Sequence, residues 1–158
     1  MTDGETQLAL VDEAATRTLA ARLARRVRGG LVLWLQGDLG AGKTVFARAF
    51  LQALGVGERV KSPTYSLIEP YTLADGRPAW HLDLYRIADP GELEWLGLDE
   101  LGDPRAVVLI EWPERGAGAV PAPDLAVELE RRGDGRDVRL RALSSRAAGL
   151  LARSGEGR

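Results

Sequence analysis

The chain has 158 residues, a formal net charge of −2, 45% hydrophobic and 28% charged residues, and no cysteine. That length suits one domain with a proper core, and the near-neutral charge argues against a broad autonomous nucleic-acid surface, so no DNA partner is expected. Disulfides and cysteine metal sites are excluded, no apolar run approaches the roughly 20 residues of a membrane span, and no secretory leader pattern opens the chain, so a cytoplasmic protein without a membrane partner is expected.

Val11, Ala15, Leu19, Leu23 and Val27 recur every four residues and predict an amphipathic helix over about 12–27, broken by Gly29-Gly30. Residues 31–35 are continuously apolar, as a strand buried on both faces should be. That strand runs into Gly37-Asp38-Leu39-Gly40-Ala41-Gly42-Lys43-Thr44, which fits G-x-x-x-x-G-K-[ST], the loop that holds nucleoside triphosphate phosphates. Its glycines let backbone N–H groups curl around a phosphate while the next helix turns its positive end to the same anion. Lys43 then reaches the β- and γ-phosphates and the Thr44 hydroxyl sits on magnesium. Val45, Phe46, Ala49, Phe50 and Leu54 continue at helical spacing, with Gly55 as a stop. Strand, loop and helix together predict binding of a nucleotide with its magnesium ion.

Of the 21 basic residues only Lys43 and Lys61 are lysines, which hints at a role for each that arginine cannot fill. Lys61-Ser62-Pro63-Thr64-Tyr65 reads either as a switch segment, with Thr64 completing the magnesium shell when the γ-phosphate is present, or as a proline turn entering a strand. A strand interrupted by Pro70 follows over 65–73, then a turn at Asp75-Gly76 and a partner strand over 79–85. In that strand His81, Asp83 and Tyr85 share one face and Leu82 and Leu84 the other. Such a face is either a solvated sheet surface or a working one, with Asp83 polarising the attacking water or holding a metal-bound water and Arg86 near developing phosphate charge. A short helix is expected over 89–96 and a second buried strand over 106–110. The run Val107-Val108-Leu109-Ile110-Glu111 has the form of a Walker-B strand, so Glu111 is either a magnesium ligand or a glutamate ending a core strand. Trp112 is a core aromatic or a lid. A loop over 116–123 precedes two alternating runs, 126–131 and 136–143, around Gly133-Asp134-Gly135, and a last helix spans 144–153. The expected architecture is a single α/β P-loop domain over 1–158, with a mixed parallel and antiparallel sheet flanked by helices.

In order, 37–44, Ser62-Pro63-Thr64-Tyr65, His81-Leu82-Asp83-Leu84-Tyr85-Arg86 and Ile110-Glu111-Trp112 resemble the motifs of the TsaE family of small bacterial P-loop ATPases, formerly called YjeE. Glu69-Pro70-Tyr71, Asp89-Pro90 and Glu92-Leu93 are similar too, and the resemblance runs from about residue 8 to 152. Val45 departs from it, standing where the family commonly has a second threonine, which puts one phosphate contact in doubt. The resemblance implies a weak ATPase that uses ATP and Mg2+ and supports formation of N6-threonylcarbamoyladenosine at position 37 of tRNAs reading codons that begin with A. It implies the TsaB–TsaD complex as partner, which ATP hydrolysis resets, and contact with tRNA only through that complex. It also implies that Lys43 binds phosphate, that Thr44 and Glu111 hold magnesium, that Asp83 and Thr64 serve switching and hydrolysis, and that Glu13 and Gly135 lie near the adenine. A small-molecule kinase and a nucleotide-gated interaction module with negligible turnover are the competing readings from the residues themselves, since the phosphate loop serves all three.

Overall fold

The computed structural model describes residues 4–56, 67–96 and 98–156. Among them, seven strands form one mixed sheet in the order β1-β7-β6-β2-β5-β4-β3. The four inner strands, β6 (Leu125–Arg132), β2 (Leu31–Gln36), β5 (Val107–Glu111) and β4 (Pro78–Asp83), run parallel. Antiparallel pairs close both sides. β7 (Gly135–Ala142) and β1 (Glu5–Leu10) extend one, and β3 (Ile68–Thr72) ends the other. Pro70 is tolerated because β3 is an edge strand, where a missing donor breaks no inner ladder.

Helices α1 (Glu13–Ala24), α2 (Lys43–Leu51) and α3 (Ser145–Glu156) cover one face. Leu19 and Leu23 of α1 and Phe46 and Phe50 of α2 meet Leu33, Leu35, Leu109 and Val127 of the sheet in the larger core. Phe46 and Phe50 are fully buried with ring centroids 6.2 Å apart, so truncating either to alanine costs about 3–5 kcal/mol. On the other face, 3-10 segments Pro90–Leu96, Leu98–Gly102 and Pro113–Gly116 overlie Leu82, Leu84, Val108 and Ile110. Over β1, β7 and β6 that face instead carries Glu128, Asp137 and Arg139 along an open groove of about 710 Å³.

Several expectations need correction. The first helix starts at Glu13, because the Asp12 carboxylate caps it by accepting from the Ala15 N–H at 2.9 Å, so Val11 lies outside it and is 79% exposed. Strict four-residue spacing drifts around a helix, and the buried stripe is Thr16, Leu19, Ala20, Leu23 and Ala24. β1 had no counterpart in the sequence reading; its polar–apolar run is short and finds its place only against β7. The helix after the phosphate loop ends in a π turn, Gln52–Val56, where Gly55 takes φ +97°. The segment over 89–96 is 3-10 rather than α, and β4 stops at Asp83, leaving Tyr85 beyond the strand.

Candidate functional site

The phosphate loop leaves the carboxyl end of β2 between its parallel neighbours β5 and β6, where open α/β sheets bind ligands. Gly37 has φ +145°, and a Cβ there would lie 2.3 Å from the Leu129 carbonyl oxygen, so only glycine lets the chain turn out of the sheet. Gly42 caps α2 in the left-handed region with no side chain. The first-turn N–H groups of α2, which have no intrahelical partners, therefore open on a cleft of about 330 Å³. Leu39, Gly40, Gly42, Lys43, Thr44, Val45, Asp83 and Glu111 all line it. Asp38 and Ala41 shape the loop through the Ala41 N–H, which donates to the Asp38 carbonyl at 3.0 Å.

Lys43 is buried. Its ammonium donates to the carbonyls of Gly37 and Asp38, the latter at 3.0 Å, and sits 4.0 Å from the Trp112 ring centroid. Burial lowers its pKa, opposed by the negative charges of Glu111, Glu114, Asp83 and Asp38. The Thr44 hydroxyl donates to Glu111, with Oγ1 2.9 Å from Oε1 and 3.1 Å from Oε2. Glu111 ends β5, is 2% exposed, and stands beside Asp83 in the parallel register of β4 and β5. Asp83 is half-buried and accepts from the Tyr85 N–H at 3.1 Å. Burial raises its pKa and the Glu111 charge adds to the rise, against the Tyr85 hydrogen bond and the charges of His81 and Lys43.

His81 overturns the solvated-surface reading of its strand. It points with Asp83 toward the helix side, is fully buried, and places Nε2 2.7 Å from Glu111 Oε2. Trp112, held at φ 59°, packs against the core of the far face and also borders the cleft, its ring centroid 4.0 Å from the Lys43 ammonium and 4.9 Å from that of Tyr85. Arg115 lies over both rings. Glu13 lines the cleft from the first turn of α1. Gly135 does not line it. A Cβ at Gly135 would sit 2.2 Å from the Leu10 carbonyl oxygen, so the close approach of β1 explains that glycine. Its neighbour Arg136, which the sequence reading missed, does line the cleft and donates from Nε to the Ala41 carbonyl at 2.8 Å. The only sequence signal for Arg136 was its place beside the hairpin. Lys61, Ser62, Pro63, Thr64 and Tyr65 lie outside the described residues.

Residues 10–139 match the family model described as threonylcarbamoyl adenosine biosynthesis protein TsaE. The chain belongs to the TsaE family. That family takes part in tRNA threonylcarbamoyladenosine biosynthesis. The Haemophilus influenzae tRNA threonylcarbamoyladenosine biosynthesis protein TsaE is 41% identical over 122 residues, 77% of each chain. The Bacillus subtilis TsaE is 38% identical over 138 residues, 86% of this chain and 85% of that one. The crystal structure of Bacillus subtilis YdiB superposes with a TM-score of 0.75 at 31% identity, covering 96% of both chains. The P-loop fold expected for a TsaE protein is therefore the fold this chain has, and no helix among its described residues is long and apolar enough to cross a membrane.

Proposed function

We propose that the chain is a weak magnesium-dependent ATPase that acts with the TsaB–TsaD complex in forming N6-threonylcarbamoyladenosine at position 37 of tRNAs reading codons that begin with A. In this reading it meets tRNA only through that complex and resets it by hydrolysing ATP in the cytoplasm. The observation that carries the proposal is the convergence of Lys43, Thr44, Glu111 and Asp83 on one cleft at the carboxyl ends of β2, β5 and β4.

In this role Lys43 exchanges the Gly37 and Asp38 carbonyls for phosphate oxygens, a stronger, charge-assisted partner. Thr44 and Glu111 are the residues that would hold magnesium. Their oxygens are hard donors already in contact, and magnesium ordinarily completes its shell with phosphates and water. When bound, magnesium supplies positive charge against the β- and γ-phosphates. Asp83 orients the attacking water and accepts its proton, a task helped by a pKa that burial raises. Arg136 and Trp112 border the same cleft, Arg136 as a further cation and Trp112 as a shield from water.

Steady-state ADP release with magnesium and ATP, alone and with the TsaB–TsaD pair, tests the proposal, with Lys43→Ala as background. Stimulation by the pair that the variant lacks is the expected outcome. ADP release that requires a small hydroxyl compound and ignores the pair would instead make the chain a kinase. ATP-controlled complex formation without turnover would make it a nucleotide-gated module.

A further inference from the structure

His81 is the only histidine of the chain, and it is spent on one bond. Its ring is fully buried, Nε2 lies 2.7 Å from Glu111 Oε2, and Nδ1 has no hydrogen-bond partner among the described residues. A carboxylate oxygen only accepts, so Nε2 carries the hydrogen of this bond. A histidine kept for the fold alone would be expected to satisfy both nitrogens, because a buried polar atom without a partner is unfavourable. Here one nitrogen has no partner among the described residues while the other grips a single carboxylate.

Glu111 needs such a grip. It sits at the last position of β5 with three side-chain torsions, and Lys43 lies close enough to feel its charge. A Glu111 that swung to Lys43 would neutralise the ammonium on which phosphate binding depends. It makes no ion pair with Lys43; its oxygens are taken by the Thr44 hydroxyl and by His81. The two donors come from different elements, the first turn of α2 and strand β4, and so fix the carboxylate from two directions.

We infer that His81 is a positioning residue: it locks Glu111 in the orientation that faces Thr44, and thereby sets the affinity of the site for magnesium while leaving Lys43 free for phosphate. The inference rests on the magnesium–nucleotide reading of the cleft and adds to it a residue that touches neither metal nor nucleotide. It explains why a buried histidine stands two residues before Asp83 on the strand beside Glu111.

The test measures binding of ADP carrying a fluorescent ribose label, in EDTA and across a magnesium titration, for the full chain and its variants. His81→Leu should leave the affinity in EDTA unchanged and raise the magnesium needed for half-maximal gain by roughly 10–100-fold, the range found when partners behind a metal ligand are removed. His81→Gln should recover magnesium dependence to within about threefold of the parent, because the glutamine amide nitrogen is as many bonds from Cα as Nε2 and can donate to the same oxygen. In a Glu111→Gln background, His81→Leu should add nothing further, as two residues acting through one contact do not add. The melting temperature of His81→Leu without metal should fall, since the buried Glu111 carboxylate loses a donor, and His81→Gln should restore it.

A parent-like magnesium dependence in His81→Leu overturns the inference. So does an equal loss of affinity with and without magnesium, which marks a structural histidine. Failure of His81→Gln to recover while it folds like the parent overturns it too. A parent chain that binds the labelled ADP no better with magnesium than in EDTA overturns the proposed function itself, and this inference with it.

Discussion

The two ends of the parallel strands handle a partly buried aspartate in opposite ways. At the amino ends, Asp124 accepts from the Val32 N–H and from Arg146, each at 2.8 Å, while its own N–H donates to the Val32 carbonyl and its carbonyl accepts from the Leu143 N–H. Burial works against its charge, yet hydrogen bonds from Arg146, Ser144 and Val32 prevail and its pKa falls. At the carboxyl ends, Asp83 has one N–H donor and a second carboxylate beside it in the ladder, and its pKa rises. One end spends its acid on joining β2, β6 and α3. The other leaves an acid with one N–H donor and a buried histidine with one nitrogen unpaired among the described residues, beside a buried lysine held only by loop carbonyls and an aromatic ring.

Replacing the unsatisfied acid should separate activity from stability. Asp83→Asn is expected to cut ADP release about 10³-fold, in the range of a lost general base, while the melting temperature at neutral pH rises. The sign follows from linkage. The folded pKa of Asp83 lies above 3.8, so the native state takes up its proton more readily than the unfolded chain. The cost of the charge is absent below pH 3.8 and full above the raised pKa, so the variant's advantage should grow as pH rises through that window. The kcat/KM of the parent, which reports the free protein, should fall as pH drops through the raised Asp83 pKa, and again as pH climbs through the lowered Lys43 pKa, giving a bell with both limbs drawn inward.

Lys43→Ala should weaken labelled-nucleotide binding by about 100-fold, from the loss of charge-assisted bonds to phosphate. Because burial already disfavours this ammonium, the variant should melt no lower than the parent. At the other end the pattern reverses. Asp124→Ala strips the Val32 N–H and Arg146 of a partner and should cost about 2 kcal/mol, seen as a melting point lower by about 4–8 °C, with nucleotide affinity intact. The lowered folded pKa makes this contribution full above pH 3.8 and lost as pH falls through the folded value, so parent and variant should converge in acid. Arg136→Ala has the smallest expected effect, about a tenfold loss of nucleotide affinity from one removed cation at the cleft. If Arg136→Ala instead lowers the melting point and spares affinity, its bond to the Ala41 carbonyl is a brace for the loop and the cleft has one binding cation fewer.

How far the site was legible follows from how local each signal is. The 37–44 loop carries its geometry in its own residues: glycines at 37, 40 and 42 take positive φ, and Lys43 and Thr44 begin the helix that the motif requires. The 31–35 and 107–111 runs declare themselves by being apolar on both faces. Tyr85 and Val11 were misplaced because alternation and four-residue spacing do not say where an element ends; a cap and a hydrogen bond do. Arg136 carries no local mark at all, since an arginine after a hairpin looks like any solvated cation until β7 is laid beside β6 and its side chain meets Ala41.

The sequence by itself determined the phosphate loop, the buried strands, the mixed α/β architecture and the family, because each rests on spacing along a short stretch of chain. Only the tertiary structure decided that His81 grips Glu111 rather than facing solvent, that the Trp112 ring lies against Lys43, and that β1 exists as a strand. Those facts depend on strand order and register between segments 30 or more residues apart. Periodicity records which face of an element is apolar, and leaves unspoken which other element that face will meet.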